Sequence, residues 1–283
     1  MDFSFNINGD GRVDLHTHTA QSDGQHSPES LVALAKSKKL AAIGITDHDE
    51  VGAITPAQAK GIELEIAIIP GVELSTIHGG FDVHILGYFI DHYNSRLLEV
   101  LVFLRAERVR RTQRILQKLA LLGMPVSFEA VLEHAGEGCM GRPHVAEAMM
   151  QAGFVRSYQD AFDFFLAEGK PAFEPKTKIL PAEAVEIIHA AGGIASLAHP
   201  GQNLTLEVVV EVAQAGVDAI ETIHPKHTPT QRRRFEKIAA EFGLLRTGGS
   251  DFHGGRKGEE KLGQFTVSKE QVELLQKSAE KWH

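Results

Sequence analysis

The chain has a single cysteine, Cys139, in 283 residues. That excludes an intramolecular disulfide and any site built from several thiolates, so a bound metal would have to be held by imidazole and carboxylate. Also missing is any apolar run near the roughly 20 residues needed to span a bilayer. The polar start, Met1 to Asp14, has neither the basic region nor the apolar core of a signal peptide, and the expected location is the cytoplasm. Positive charge is outnumbered as well, with 29 Lys and Arg against 37 Asp and Glu. A formal net charge of -8 argues against a broad surface for long duplex nucleic acid, while leaving room for a short anionic substrate drawn into a metal-filled pocket. What is left is an ordinary globular composition, 43% hydrophobic with 27 glycines. It suffices for one large domain, or for a barrel with a small added domain.

Histidine is plentiful, with 15 in the chain, and its placement says more than its number. Near the start stand Asp14-Leu15-His16-Thr17-His18, and near the end Gly249-Ser250-Asp251-Phe252-His253, with Thr46-Asp47-His48-Asp49 and Glu73 between. On an extended strand His16 and His18 point to one face and can grip one ion together. A helix would separate them by about 200°, so the spacing favours a strand.

Short apolar runs at 13–18, 41–46, 66–72, 81–86, 193–198, 217–221 and 244–248 predict strands, and amphipathic patterns at 30–39, 181–191 and 231–242 predict helices between them. Alternation of this kind implies a parallel sheet. His16, His18, His48, Glu73, His199, His224, Asp251 and His253 then fall at or just after strand ends, where catalytic groups of a parallel barrel converge; His84 is the exception, lying inside its run. From 95 to 178 the rhythm changes to helices, including 97–122 and 143–151, which predicts a mainly helical insertion domain (95–178) over a barrel formed by 1–94 and 179–283.

Taken together, His16, His18, Asp23, His48, Glu73, His84, His199, Asp251 and His253 predict a polynuclear metal centre, because so many uncompensated carboxylates and imidazoles would otherwise carry a large desolvation cost. Asp47 is left outside that set, either as an orienting residue or as a turn residue. His26, His78, His92, His134, His189 and His283 are expected to be structural or solvated. Arg105, Arg108, Arg111 and Arg114 recur at three-residue spacing, which predicts a solvated charged helix face.

The motifs DLHTHT (14–19), GITDHD (44–49), PGVELS (70–75), HILGY (84–88), LAHPG (197–201) and GSDFH (249–253) closely resemble the PHP, or polymerase and histidinol phosphatase, family. GRPHVAEAM (141–149) and PAFEPK (171–176) look like its stand-alone bacterial subgroup, which includes 3′,5′-nucleoside bisphosphate phosphatases and RNase AM. The resemblance implies a distorted (β/α)7 barrel holding two or three manganese, iron(II) or zinc ions, manganese foremost. It implies a first ion on His16, His18, Glu73 and Asp251, a second on Glu73, His84 and His199, and a third on Asp23, His48 and His253. Many relatives have a histidine where this chain has Asp23.

On that pattern, two ions sharing Glu73 would hold a bridging hydroxide for in-line attack on a phosphate, with His199, His253 or a metal-bound water as the proton donor to the leaving oxygen. Arg142, His144 and Lys176 of the insertion, with His224 and His227, are the expected substrate-binding residues. The function implied is removal of a phosphate from a small 3′,5′-bisphosphorylated nucleotide, with trimming of short RNA from its 5′ end left open. The alternatives are a histidinol or other small-molecule phosphatase, an amidohydrolase acting on a C–N bond, and a non-enzymatic metal-dependent binding module. No membrane partner and no long duplex nucleic acid are expected.

Overall fold

The apolar runs become seven strands: β1 (Val13–Asp14), β2 (Ala42–Ile45), β3 (Ala67–His78), β4 (Phe81–Tyr88), β5 (Ile194–Leu197), β6 (Ala219–Ile223) and β7 (Leu245–Gly248). This computed structural model describes residues 11–136, 138–175, 179–255 and 261–282. The strands form one sheet in sequence order. Its two ends approach each other through the bond from Leu15 N to Gly248 O, 3.2 Å, and the bridge between Thr17 and Phe252, so the sheet rolls into a nearly closed barrel.

One strand departs from the all-parallel expectation. β4 pairs antiparallel with both β3 and β5, while β1–β2, β2–β3, β5–β6 and β6–β7 are parallel. The reason is local. Gly79 and Gly80 have φ of 58° and 87°, which permits a two-residue primed turn and forces the chain straight back. No helix is needed between β3 and β4, and the strand count stays at seven.

β2 and β5 are buried along their whole length, as expected of strands covered on both faces. Inside pack Val13, Leu15, Ile69, Leu86, Tyr88 and Ile194. Helices Pro28–Ser37, Ile54–Leu64, Pro181–Ala190, Leu206–Gln214 and Pro229–Phe242 fill gaps between strands in the sequence, and Lys269–Ala279 follows the last strand. Each buries an apolar stripe, such as Leu31, Val32 and Ala35 on the first, worth about 1.5–3 kcal/mol per large side chain. Ser27, Thr205, Thr228 and Ser268 start four of them by accepting a bond from a backbone N–H in the first turn. Among the described residues no helix is long and apolar enough to cross a membrane.

The chain divides into two compact units, Met1–Glu99 with Lys178–His283, and Val100–Thr177. The second is helical, with Phe128–Ala135, Arg142–Gln151 and Tyr158–Ala161 following the long helix Ser95–Leu121. It has its own core of residues such as Ile115, Leu119, Val131, Val145, Met149 and Leu166. The arginine row is not simply solvated. Arg111 is buried and donates to Glu174 O at 2.7 Å, and Arg114 donates to Glu174 Oε1 at 2.6 Å. Lys118 Nζ lies 2.8 Å from Glu174 Oε2, so the row pins the 171–175 segment.

The barrel closes most tightly where Gly249 passes His16. A methyl group at Gly249 would fall 2.3 Å from His16 Cβ and 2.4 Å from His16 N, and backbone there cannot give way. Gly249→Ala is therefore expected to lower stability by roughly 1–3 kcal/mol, the usual range for overpacking. Urea unfolding measures this, and an unchanged midpoint would show that the seam is looser than described.

Candidate metal centre

Glu73 is the residue around which the others gather. It is fully buried in β3 and forms an isolated parallel bridge with His48. Its Oε2 has His48 Nδ1 at 3.1 Å and the Nε2 atoms of His16 and His18 both at 3.3 Å. Its Oε1 has His84 Nδ1 at 2.8 Å and His199 Nε2 at 3.0 Å. Five imidazoles thus crowd a carboxylate with room for about four hydrogen bonds.

Two further carboxylates extend the cluster. Asp251 Oδ1 lies 3.3 Å from His18 Nε2 and 3.5 Å from His16 Nε2 and from His253 Nδ1. Asp23 Oδ1 lies 3.1 Å from His253 Nε2 and 3.9 Å from His48 Nε2. Among the described residues four groups could each hold an ion, their donor atoms all within 4.8 Å: His18 with Asp23, His48 and His253; His16 with His18 and Asp251; His16 with Glu73 and His199; His48 with Glu73 and His84. All nine residues singled out from the sequence meet here. His48 faces Glu73 and His84 as well as Asp23 and His253, a wider reach than the family pattern implied.

Local structure explains the convergence. The β1 ladder covers only two residues, yet the chain beyond it stays extended by bonding to alternate sides, with His18 N donating to Phe252 O and Thr46 N to Thr17 O. His16 and His18 therefore share a face, their ring centroids 5.1 Å apart. His84 lies inside its run because β4 is reversed: the early part of β4 meets the same rim that the other strands reach at their ends, and Ala198 N, next to His199, donates to His84 O. Asp49, His199 and Asp251 have φ of 51°, 26° and 51°, left-handed conformations that non-glycine residues adopt at a cost and that cluster at functional sites.

Buried acids hold these loops. Asp47 accepts from Thr19 N at 2.8 Å, Thr19 Oγ1 at 2.7 Å and the Ser22 hydroxyl, which shapes the segment carrying Asp23. Asp14 accepts from Ser250 N and Gly263 N, both at 2.9 Å, beside Asp251; burial pushes its carboxyl up to about 6. Asp49 Oδ1 accepts from Ser75 N at 2.8 Å. Glu221, not singled out from the sequence, contacts His16 Nδ1 at 3.1 Å and accepts from His199 N at 2.7 Å. The available signal was a glutamate inside an otherwise apolar strand, which must either face water or find a buried partner.

Electrostatics and unmet polar atoms both fit divalent cations. Burial would raise Glu73, but His48, His84 and His16 outweigh it and hold its carboxyl well below the usual range. Burial is likewise overcome at Asp251, chiefly by His253 and His16, and at Asp23 by His253 and His48. His18 is buried, and although its Nε2 is 3.3 Å from Glu73 and Asp251, neither ring nitrogen is aligned for a hydrogen bond. His48 Nδ1 and His224 Nε2 are also buried without a hydrogen-bond partner. Unmet groups of this kind cost about 1–3 kcal/mol each, a cost that coordination would remove at His18 and His48. The donors are nitrogen and oxygen throughout, a set suited to manganese, iron(II) or zinc.

The remaining expected site residues divide. His224 adjoins the cluster, with Nε2 3.4 Å from Asp251 Oδ2 and Nδ1 accepting from Lys226 N at 3.2 Å. His227 spends both nitrogens on main chain: Nδ1 donates to Thr222 O and Nε2 accepts from Gly201 N, each at 3.2 Å, while burial pushes its pKa down to about 4. In the second unit, Arg142 donates to Leu166 O at 3.3 Å with its guanidinium over the Phe173 ring. His144 is buried, and its Nδ1 accepts from Gly141 N at 3.1 Å. Lys176 lies outside the described residues.

An α/β barrel with such a nitrogen and oxygen cluster at its rim defines a metal-dependent hydrolase. A family model described as PHP domain matches residues 14–169, more than half of the chain, and the chain belongs to that family. It is 34% identical over 247 residues to the 5′-3′ exoribonuclease Rnm of Escherichia coli strain K12, covering 85% of this chain and 84% of that protein. It is 30% identical over 257 residues to the 3′,5′-nucleoside bisphosphate phosphatase of Chromobacterium violaceum, covering 89% and 90%. A solved structure from Bifidobacterium adolescentis, assigned as a metal-dependent phosphoesterase, superposes with a TM-score of 0.86 at 30% identity, covering 93% of this chain and 94% of that one. The protein is a metal-dependent phosphoesterase of the PHP type.

Asp23 is the carboxylate of the group with His18, His48 and His253. Asp23→Asn keeps the shape but removes the charge, so one ion should be lost more readily while those around Glu73 stay. Metal content after dialysis reads this directly, and a variant with the wild-type metal content and rate would dismiss Asp23 as a ligand.

Proposed function

We propose that the protein hydrolyses a phosphate from nucleotides phosphorylated at both the 3′ and 5′ positions, using two or three divalent ions, manganese foremost, held by Glu73 and the eight residues gathered about it. The observation that carries the reading is the convergence of five imidazoles on that one buried carboxylate. The choice of substrate is supported by the bisphosphate phosphatase relative, matched over nine-tenths of its length. A second reading, shortening of RNA from its 5′ end, is supported by the exoribonuclease relative. Action in the cytoplasm on a small phosphorylated nucleotide completes the proposal.

The ions, when bound, would acidify a water and offset the charge that builds on the phosphoryl oxygens. The chain's own part is preorganisation. Glu73, ionised by its histidine neighbours, supplies both oxygens. His253 gives its Nδ1–H to Asp251 O at 2.8 Å, which turns the Nε2 lone pair toward Asp23 and the metal group. His224 is arranged the other way. Its Nδ1 accepts from Lys226 N, so in the neutral ring the proton is on Nε2, aimed into the site, where it can donate to a phosphoryl oxygen. His199 and His253 point their nitrogens at Glu73 and Asp23, which makes them ligands before they are proton donors. Arg142, with its guanidinium held over Phe173, and Lys176 are proposed to read the second phosphate, the Arg through its planar fork.

A panel of adenosine 3′,5′-bisphosphate, histidinol phosphate, short 5′-phosphorylated RNA and an N-acyl amino acid, each with manganese, tests the proposal. The bisphosphate should be turned over fastest, and Glu73→Ala should abolish turnover of all; preference for histidinol phosphate or the amide would reject the substrate assignment. Arg142→Ala should lower kcat/KM for the bisphosphate at least about tenfold, or 1.4 kcal/mol, and affect a monophosphate much less. Equal losses on both would mean that Arg142 only supports its own turn.

A further inference from the structure

A carboxylate is costly inside a β-strand, and Glu221 is fully buried in the apolar β6. Its two oxygens are occupied by two different segments. Oε1 meets His16 Nδ1 at 3.1 Å, and Oε2 accepts from the backbone N–H of His199 at 2.7 Å. Glu221 itself belongs to none of the four groups that could hold an ion. The two segments it touches deliver nitrogen to opposite oxygens of Glu73: His16 Nε2 to Oε2 at 3.3 Å and His199 Nε2 to Oε1 at 3.0 Å.

We infer that Glu221 is the positioning residue of the metal group formed by His16, Glu73 and His199, fixing which nitrogen of His16 faces the metal and where His199 stands. The inference rests on the metal-binding reading of that group. With Nδ1–H donated to Glu221, the lone pair of His16 is on Nε2, directed at Glu73 and Asp251. Ligating histidines are commonly locked in this manner by a carboxylate behind the ring. At His199 the bond acts on main chain. The residue has φ of 26°, a conformation disfavoured for any side chain with a Cβ, and the Glu221 oxygen holds its N–H in place. One side chain therefore sets the separation of two imidazoles whose rings stack 5.7 Å apart at 20°.

Both groups that approach Glu221 are donors, so an amide in its place can accept from only one. In Glu221→Gln, the apparent dissociation constant for manganese, measured by chelator competition, should rise by about 10–100-fold, the usual effect of losing such a partner. Excess manganese should then restore kcat toward the wild-type value, which damage to the core would not allow. A second readout needs no variant: in the zinc-loaded wild-type protein, nitrogen NMR should find His16 protonated on Nδ1 and metal-shifted on Nε2. Coordination through Nδ1, or equal manganese affinity in Glu221→Gln and wild type, overturns the inference even if the variant folds poorly in other tests. A wild-type protein that binds no manganese or zinc overturns instead the metal reading on which it rests.

Discussion

Everything at the rim of this barrel depends on placing one anion, Glu73, where water does not reach. An isolated buried carboxylate costs several kcal/mol even after relaxation of its surroundings. Here the penalty is met by five histidines drawn from the segments after β1, β2 and β5 and from β4 itself. The arrangement is over-supplied with nitrogen for a hydrogen-bonded core, and that excess suits divalent ions. Position in the barrel follows from the same demand, because parallel strands with short loops bring distant residues to one rim.

A surrounding layer of acids keeps the rim in shape. Asp14, Asp47, Asp49 and Glu221 each accept backbone N–H groups from segments that carry or adjoin candidate ligands. These bonds also hold the left-handed residues Asp49, His199 and Asp251, whose strain would otherwise relax. The rim is thus fixed by charge and main-chain bonding more than by apolar packing, which is concentrated in the barrel interior and under the helices.

Much of this was legible in the sequence because metal-binding residue types are rare neighbours: His16 with His18, His48 within TDHD, and Asp251 with His253 announce themselves at the ends of apolar runs. What was not legible has physical causes. The reversal of β4 follows from Gly79 and Gly80, a turn visible in the sequence, but its consequence for His84 needs the register of three strands. Glu221 gives no such signal, because a single acid in a strand looks like an outward-facing position until its neighbours are known. The arginine row looks solvated in the sequence because its partner, Glu174, lies sixty or so residues away in the chain, beyond the reach of any periodicity argument.

The reversed strand has a further effect on how the chain can change. Because β4 runs against β5, Tyr88 pairs with Ile194, so the chain leaves the barrel and returns to it at adjacent points. In topological terms the helical unit is the loop of a hairpin. Closing a loop costs only about 0.6 kcal/mol more for each doubling of its length. Insertions and deletions within Val100–Thr177, apart from the barrel helix Pro181–Ala190, should therefore have little effect on strand register and leave the rim chemistry constant.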